Sequence, residues 1–190
     1  MKSYEMVKNN PKTKDIFIAR NAKDCVVSFF HHTRGFPKHY DFEDGDFDVF
    51  FELFVEGKVD FGSYYHMTRS WFEHRHDDNV LFLTYENIIS NKEESLLQIA
   101  NFISNDLVKR LKDNKNELME KILLHSSVEN MQKDPLRWCS ARNAKFTPFI
   151  RKGQSGSWNE LLTDEQVQRL DKMTRNYFTE IELQELGEKY

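Results

Sequence analysis

The sequence is short of the features that mark secreted, membrane-spanning or nucleic-acid-coating chains. It has two cysteines, Cys25 and Cys139, which stand far apart and form no C-x-x-C pair, so neither a disulfide framework nor a zinc knuckle is indicated. Seven glycines and four prolines in 190 residues leave no low-complexity tract, no flexible linker and no repeat. No apolar run approaches the roughly 18 residues of a membrane span. The opening Met1-Lys2-Ser3-Tyr4-Glu5-Met6 is polar where a signal peptide would be apolar. Positive charge is not in excess either: Lys+Arg 27 against Asp+Glu 31 gives a formal charge of −4, which argues against nucleic acid or an anionic membrane as the main partner. These absences point to a reducing, cytoplasmic setting.

What is present is apolar and aromatic. Hydrophobic residues make up 39% of the chain, and Phe alone contributes 16, enough to fill one sizeable core and too much for disorder. Residues 1–190 therefore read as one domain. Asp15 to Ala19 is a short β-prone run, followed by a turn over Asn21 to Asp24 and a helix through Cys25 to Phe30. From Asp46 as N-cap, Phe47, Phe50, Phe51 and Phe54 recur at helical spacing until Gly57. Phe61, Tyr64, Tyr65, Thr68, Trp71 and Phe72 continue the same period in a further helix. Asn79 to Tyr85 is dense, apolar and too short for a helix, the pattern of a parallel strand covered on both faces. Ser90-x-x-Glu93 and Thr163-x-x-Gln166 fit the capping box, another helix is expected over 107–124, and Pro135 to Trp158 reads as irregular. Strands separated by helices give an α/β class with a parallel sheet flanked by helices.

In such sheets ligands bind beyond the carboxyl ends of the strands. Arg20 ends the first strand and Tyr85 the second. Ser28, about one turn into the helix after Arg20, is placed to share one anion with the guanidinium at a helix start, although an ion pair and a plain helical Ser would explain the same spacing. The densest signal is Arg151-Lys152-Gly153-Gln154-Ser155-Gly156-Ser157-Trp158, where adjacent cations meet two glycines that free backbone amides to turn toward a phosphate. It is not a Walker loop, since no G-x-x-x-x-G-K-[ST] occurs. The histidines (His31, His32, His66, His74 and His76 among them) fit no zinc spacing. Asp41 to Asp48 lacks the ligand alternation of a calcium loop and reads as an acidic loop that caps a helix.

These pieces resemble the cytosolic sulfotransferases. Ile16-Phe17-Ile18-Ala19-Arg20-Asn21-Ala22-Lys23-Asp24-Cys25-Val26-Val27-Ser28 is similar to the family's strand and helix that bind the 3′-phosphate of phosphoadenosine phosphosulfate (PAPS), with Arg20 and Ser28 on the two binding positions. Arg151 to Trp158 matches the R-K-G-x-x-G-x-W signature around the same phosphate, which implies roles for Arg151, Lys152 and the amide of Gly153. Val80 to Glu86 resembles the strand whose Tyr, here Tyr85, contacts the nucleotide. Ser126-Ser127-Val128-Glu129-Asn130-Met131 is similar to the T-S-F-x-x-M segment near the adenine, with Val128 in place of the usual Phe; Ser126, Ser127, Val128 and Met131 are the implied contacts.

The resemblance implies a P-loop-NTPase-like fold and transfer of a sulfuryl group from PAPS to a hydroxyl or amine of a small acceptor. The product is adenosine 3′,5′-bisphosphate (PAP), and no metal takes part. It also implies that the chain is the C-terminal two thirds of such a domain: the P-K-S-G-T-T-W loop with its Lys has no counterpart here, and the catalytic His would align at or ahead of Met1. The chain alone is thus expected to be inactive, with an open edge on the Ile16 to Ala19 strand. A non-catalytic nucleotide-binding or interaction protein derived from a sulfotransferase is the alternative. Thr33 to Asp46 and Arg137 to Phe149 are the expected acceptor loops, their Phe36, Tyr40, Phe42, Trp138 and Phe146 suiting an apolar acceptor. The family's dimer segment, K-x-x-x-T-V-x-x-x-E, aligns with Asn159, Thr163, Asp164 and Gln168, so a homodimer of that type is expected to be weak or absent.

Overall fold

The computed structural model describes residues 3–7, 12–113, 117–138, 145–146 and 148–187; Cys139 lies outside them. The chain divides into two compact units, one of residues 1–30, 45–87 and 155–190, the other of residues 31–44 and 88–154.

The first unit is built on two strands, β1 (Asp15–Ala19) and β2 (Val80–Thr84), paired in parallel with Asp15 opposite Val80 and Ala19 opposite Thr84. That register sets the next residues, Arg20 and Tyr85, side by side past the carboxyl ends. Period-two alternation turns Phe17 and Ala19 inward, where with Val80 they meet Tyr4 of α1 (Tyr4–Val7) and Met67 and Trp71 of α4 (Tyr64–Phe72). Ile16 and Ile18, on the other face, are 39% and 48% exposed. β2 has no exposed residue, as its unbroken apolar run requires.

Helix α2 (Ala22–Arg34) opens earlier than the spacing suggests. Asn21 is its cap: the side-chain oxygen accepts from the Asp24 amide at 2.8 Å, so the expected turn is already the first turn of helix. α3 (Phe47–Val55) starts as expected at Asp46, whose carboxylate accepts from the amides of Asp48 and Val49, and buries Phe50, Phe51 and Phe54. α4 begins only at Tyr64, because Ser63 supplies the cap and accepts from the His66 amide; Phe61 is left outside it. After the 3₁₀ turn Ser157–Glu160, α11 (Asp164–Tyr177) carries the full capping box of Thr163 and Gln166. α12 (Glu180–Glu185) carries a second, on Thr179 and Glu182. Phe178, Leu183 and Leu186 close this end against Phe72.

The second unit is helical. α5 (Tyr85–Ser90) leads into it, and α6 (Lys92–Ile103), α7 (Asn105–Lys112) and α8 (Glu117–His125) bury Ala100, Leu111 and Met119 together. The helix expected over 107–124 is two helices, since Ser104 caps α7 by accepting from the Asp106 amide and Asp113 ends it in extended backbone. Ser90 is not a cap either. It is the last residue of α5, and α6 starts from Asn91 without a side-chain cap bond. α9 (Val128–Gln132) and α10 (Pro135–Trp138) follow, so the stretch taken as irregular holds a short helix at its start and the 3₁₀ turn at its end. No described helix is long and apolar enough to cross a membrane.

Candidate functional site

In the first unit the parallel register brings two expected ligands together. The Arg20 guanidinium lies over the Tyr85 ring, 4.5 Å from its centroid, a cation–π contact that holds the cation at the strand ends. Tyr64 donates its hydroxyl proton to the Arg20 carbonyl at 2.6 Å, fixing the backbone there. The Glu86 carboxylate accepts from both the backbone amide and the side-chain amide of Asn21, at 3.2 and 2.6 Å. The carboxyl ends of β1 and β2 are thereby tied to each other by side chains as well as by the ladder. Ser28 is half-buried on α2. With the helix opening at Ala22 it stands nearly two turns in rather than one, about 9 Å of rise from the first residue.

The residue that sequence reasoning passed over is Asp24, which is 1% exposed. Its Oδ2 accepts from Asn21 Nδ2 at 2.9 Å, Ser155 Oγ at 2.9 Å and the Gly156 amide at 2.8 Å. Its Oδ1 accepts from the Trp158 amide at 3.2 Å and from Ser157 Oγ at 3.5 Å, with the Arg20 guanidinium 3.9 Å away. Burial opposes the charge. The hydrogen bonds from Asn21, Gly156 and Ser155, helped by the Arg20 cation, overcome it and hold the carboxyl below its usual range. Gly156 makes this possible at φ 88°, a conformation that favours glycine. Lys23 crosses the same region, with Nζ 2.7 Å from Asp171 and 5.4 Å from the centre of the Trp158 ring. A polar cleft of about 180 Å³ lies alongside, lined by Asn21, Lys23, Glu86, Ser155, Trp158 and Gly187 among others. On the same helix, burial pushes the Cys25 thiol up to about 12, which keeps it protonated.

In the second unit the expected adenine segment and the start of the R-K-G signature meet. Gly153 has φ 59°, and a Cβ there would fall 2.0 Å from Val128 Cγ2. The signature glycine and the residue in the usual Phe position are therefore in direct contact. Gln132 of α9 donates from Nε2 to the Arg151 carbonyl at 2.6 Å and the Ile150 carbonyl at 3.3 Å. Lys152 is exposed and Arg151 half-buried. Ser127 caps α9 by accepting from the Asn130 amide at 3.2 Å, and Ser126 Oγ donates to the Leu123 carbonyl at 3.4 Å. Both hydroxyls already serve the backbone, and Met131 is half-buried. The expected acceptor loops also meet in this unit: the His32 ring lies 4.7 Å from Phe36, 5.9 Å from Tyr40 and 6.3 Å from Phe149. Arg34 stands 5.5 Å from the centre of the Phe146 ring.

Residues 2–187 match the family model for the sulfotransferase domain. The chain belongs to the sulfotransferase family. Sulfotransferase 1A1 of Rattus norvegicus is 33% identical over 165 residues, which cover 84% of this chain and 54% of the relative. Sulfotransferase 1 family member D1 of Mus musculus is 32% identical over 174 residues, covering 89% and 55%. The chain thus spans about half the length of these curated relatives. The α/β fold is that of solved sulfotransferases: mouse sulfotransferase SULT7A1 complexed with PAP superimposes with a TM-score of 0.78 at 28% identity, over 99% of this chain and 68% of the other. Retinol dehydratase in complex with androsterone and PAP gives 0.68 at 25% identity, over 93% and 49%.

Proposed function

We propose that this sulfotransferase chain supplies the nucleotide-holding part of a PAPS-dependent transfer of a sulfuryl group to a small, apolar acceptor. The observation that carries the reading is the convergence of Arg20 and Tyr85 at the strand ends, in a chain whose structural relative was solved with PAP. The donor types suit a 3′-phosphate: the guanidinium groups of Arg20 and Arg151, the Lys152 ammonium, the Ser28 hydroxyl and the Gly153 amide are all charge-assisted or backbone donors to an oxyanion. Tyr85 and the segment Ser126 to Met131 would hold the base, with Val128 and Met131 offering apolar contact and Ser126 and Ser127 their backbone. A single domain over residues 1–190 is supported by the family match across both units.

In the reaction, the acceptor oxygen or nitrogen bonds to sulfur as the bond from sulfur to the bridging phosphate oxygen breaks. The acceptor proton passes to a base, and PAP leaves. Such chemistry depends on position and on neutralising charge on the leaving phosphate. Residues 1–190 supply cations for the 3′-phosphate, while the Lys and His that the resemblance assigns to the chemistry have no counterpart among them. This sets the expectation that these residues alone bind nucleotide without turning it over. The aromatic cluster around His32 supports an apolar acceptor, as does the androsterone bound to retinol dehydratase. Neither step requires a metal, and the setting that suits the reading is the cytoplasm.

Calorimetric titration of the chain with PAP and with adenosine 5′-monophosphate tests the reading. PAP should bind at least tenfold more tightly, and Arg151→Ala should remove most of that difference, since it deletes a charge-assisted contact. Equal affinity for the two nucleotides would refute it.

A further inference from the structure

Among the described residues Asp24 is the one buried Asp, Glu, Lys, Arg or His. A carboxylate out of water is costly unless every lone pair is used, and here the two oxygens accept from five donors besides facing Arg20. Those donors come from two stretches of chain. Asn21 directly follows Arg20, whereas Ser155 to Trp158 follow Gly153 after a single residue, Gln154. One buried charge therefore fixes the backbone next to each half of the proposed phosphate site and also stands beside its first cation.

We infer that Asp24 is the positioning residue of the 3′-phosphate site, acting through the Ser155–Trp158 backbone and Arg20 rather than on the nucleotide. This rests on the reading of the site given above. Two physical effects of Asp24 oppose each other. As a negative charge near a bound dianion it weakens nucleotide binding, so removing it should tighten binding. As the anchor of the amides of Gly156 and Trp158 it favours binding, because an untethered loop loses conformational freedom when the nucleotide orders it. An Asn at this position keeps the size, retains one acceptor oxygen and turns an NH₂ toward the same donors, so it removes the anchor along with the charge. The sign of the change decides between the two effects.

The experiment titrates PAP and adenosine 5′-monophosphate into the wild-type chain, Asp24→Asn and Ser155→Ala, at a temperature below each variant's melting transition. The inference predicts that Asp24→Asn weakens PAP binding by about tenfold or more, the size expected for losing charge-assisted bonds, and leaves monophosphate binding unchanged. Ser155→Ala removes one donor from the carboxylate and keeps the charge. It should cost a few-fold on PAP alone, which keeps the test available if Asp24→Asn does not fold. Unchanged or tighter PAP binding by Asp24→Asn would overturn the inference and make Asp24 a neighbouring charge. Equal losses on both nucleotides would also overturn it, because a general loosening of the fold has no preference for the 3′-phosphate. Unchanged PAP binding by Ser155→Ala would count against the anchor. If the wild-type chain itself failed to distinguish the nucleotides, the reading of the site would fall first and the inference with it.

Discussion

Replacing Gly153 with Ala should destabilise the second unit through two separable terms. The residue sits at φ 59°, and a side chain held in the left-handed region costs about 1–2 kcal/mol. The added Cβ would also lie 2.0 Å from Val128 Cγ2, inside any permitted contact, and relieving such overpacking typically costs a further 1–3 kcal/mol. A total of roughly 2–5 kcal/mol is a large fraction of the ~5–15 kcal/mol of a whole domain. Because the three atoms nearest the added Cβ all belong to Val128, truncating that side chain should return most of the steric part and none of the backbone part. The assay is urea unfolding of four proteins: wild type, Gly153→Ala, Val128→Ala and the double variant. The double variant should be more stable than the sum of the single effects implies, by about 1–3 kcal/mol, a coupling far above that of distant sites. Strict additivity would refute the reasoning, since it would mean that Gly153 and Val128 do not touch.

Thr163→Ala removes the hydroxyl half of an exposed capping box and should lower stability by about 1 kcal/mol, read as a shift in the urea midpoint. Leu170 is fully buried under Tyr65, whose hydroxyl donates to the Leu170 carbonyl at 3.1 Å; Leu170→Ala should cost about 2–5 kcal/mol by the same measurement, through the cavity it leaves. Asp24 is held below its usual range by its hydrogen bonds, against burial. Its contribution is then complete above the unfolded value of about 3.9 and is lost as the pH falls through the lower folded value. Melting temperatures followed downward from pH 6 should therefore drop more steeply for wild type than for Asp24→Asn; parallel curves would contradict this. Light scattering should show no dilution-resistant dimer that depends on the Asn159–Gln168 segment.

Where the sequence was readable, local periodicity and capping coincided. β1 ended where its apolar run ended, β2 stopped one residue short because Tyr85 already opens α5, and Asp46 and Thr163 capped as their spacing demanded. Boundaries slipped where a competing cap won: Asn21 pulled α2 back over the expected turn, Ser63 shortened α4, and Asp113, in extended backbone, ended α7 inside the long helix expected later. Ser90 has the capping-box spacing but is spent as the end of α5. The strand-end rule paired Arg20 with Tyr85 because a parallel register propagates one residue past the ladder. Asp24 was missed because its partners Ser155 to Trp158 lie more than 130 positions away. Nothing local distinguishes an acid that a distant loop will bury from one that stays in water. The one hint was its i,i+4 spacing from Arg20. The contact of Val128 with Gly153 was equally hidden, since both were assigned to the nucleotide and neither spacing shows that they meet.

The most direct test of the central claim is a crystal structure of the chain with PAP. The account predicts the 3′-phosphate within hydrogen-bond distance of the Arg20 guanidinium, the Ser28 hydroxyl and the Gly153 amide, with the base against Tyr85 or Val128. A nucleotide bound elsewhere, for instance with its 3′-phosphate in the cleft beside Glu86 and Gly187, would contradict it.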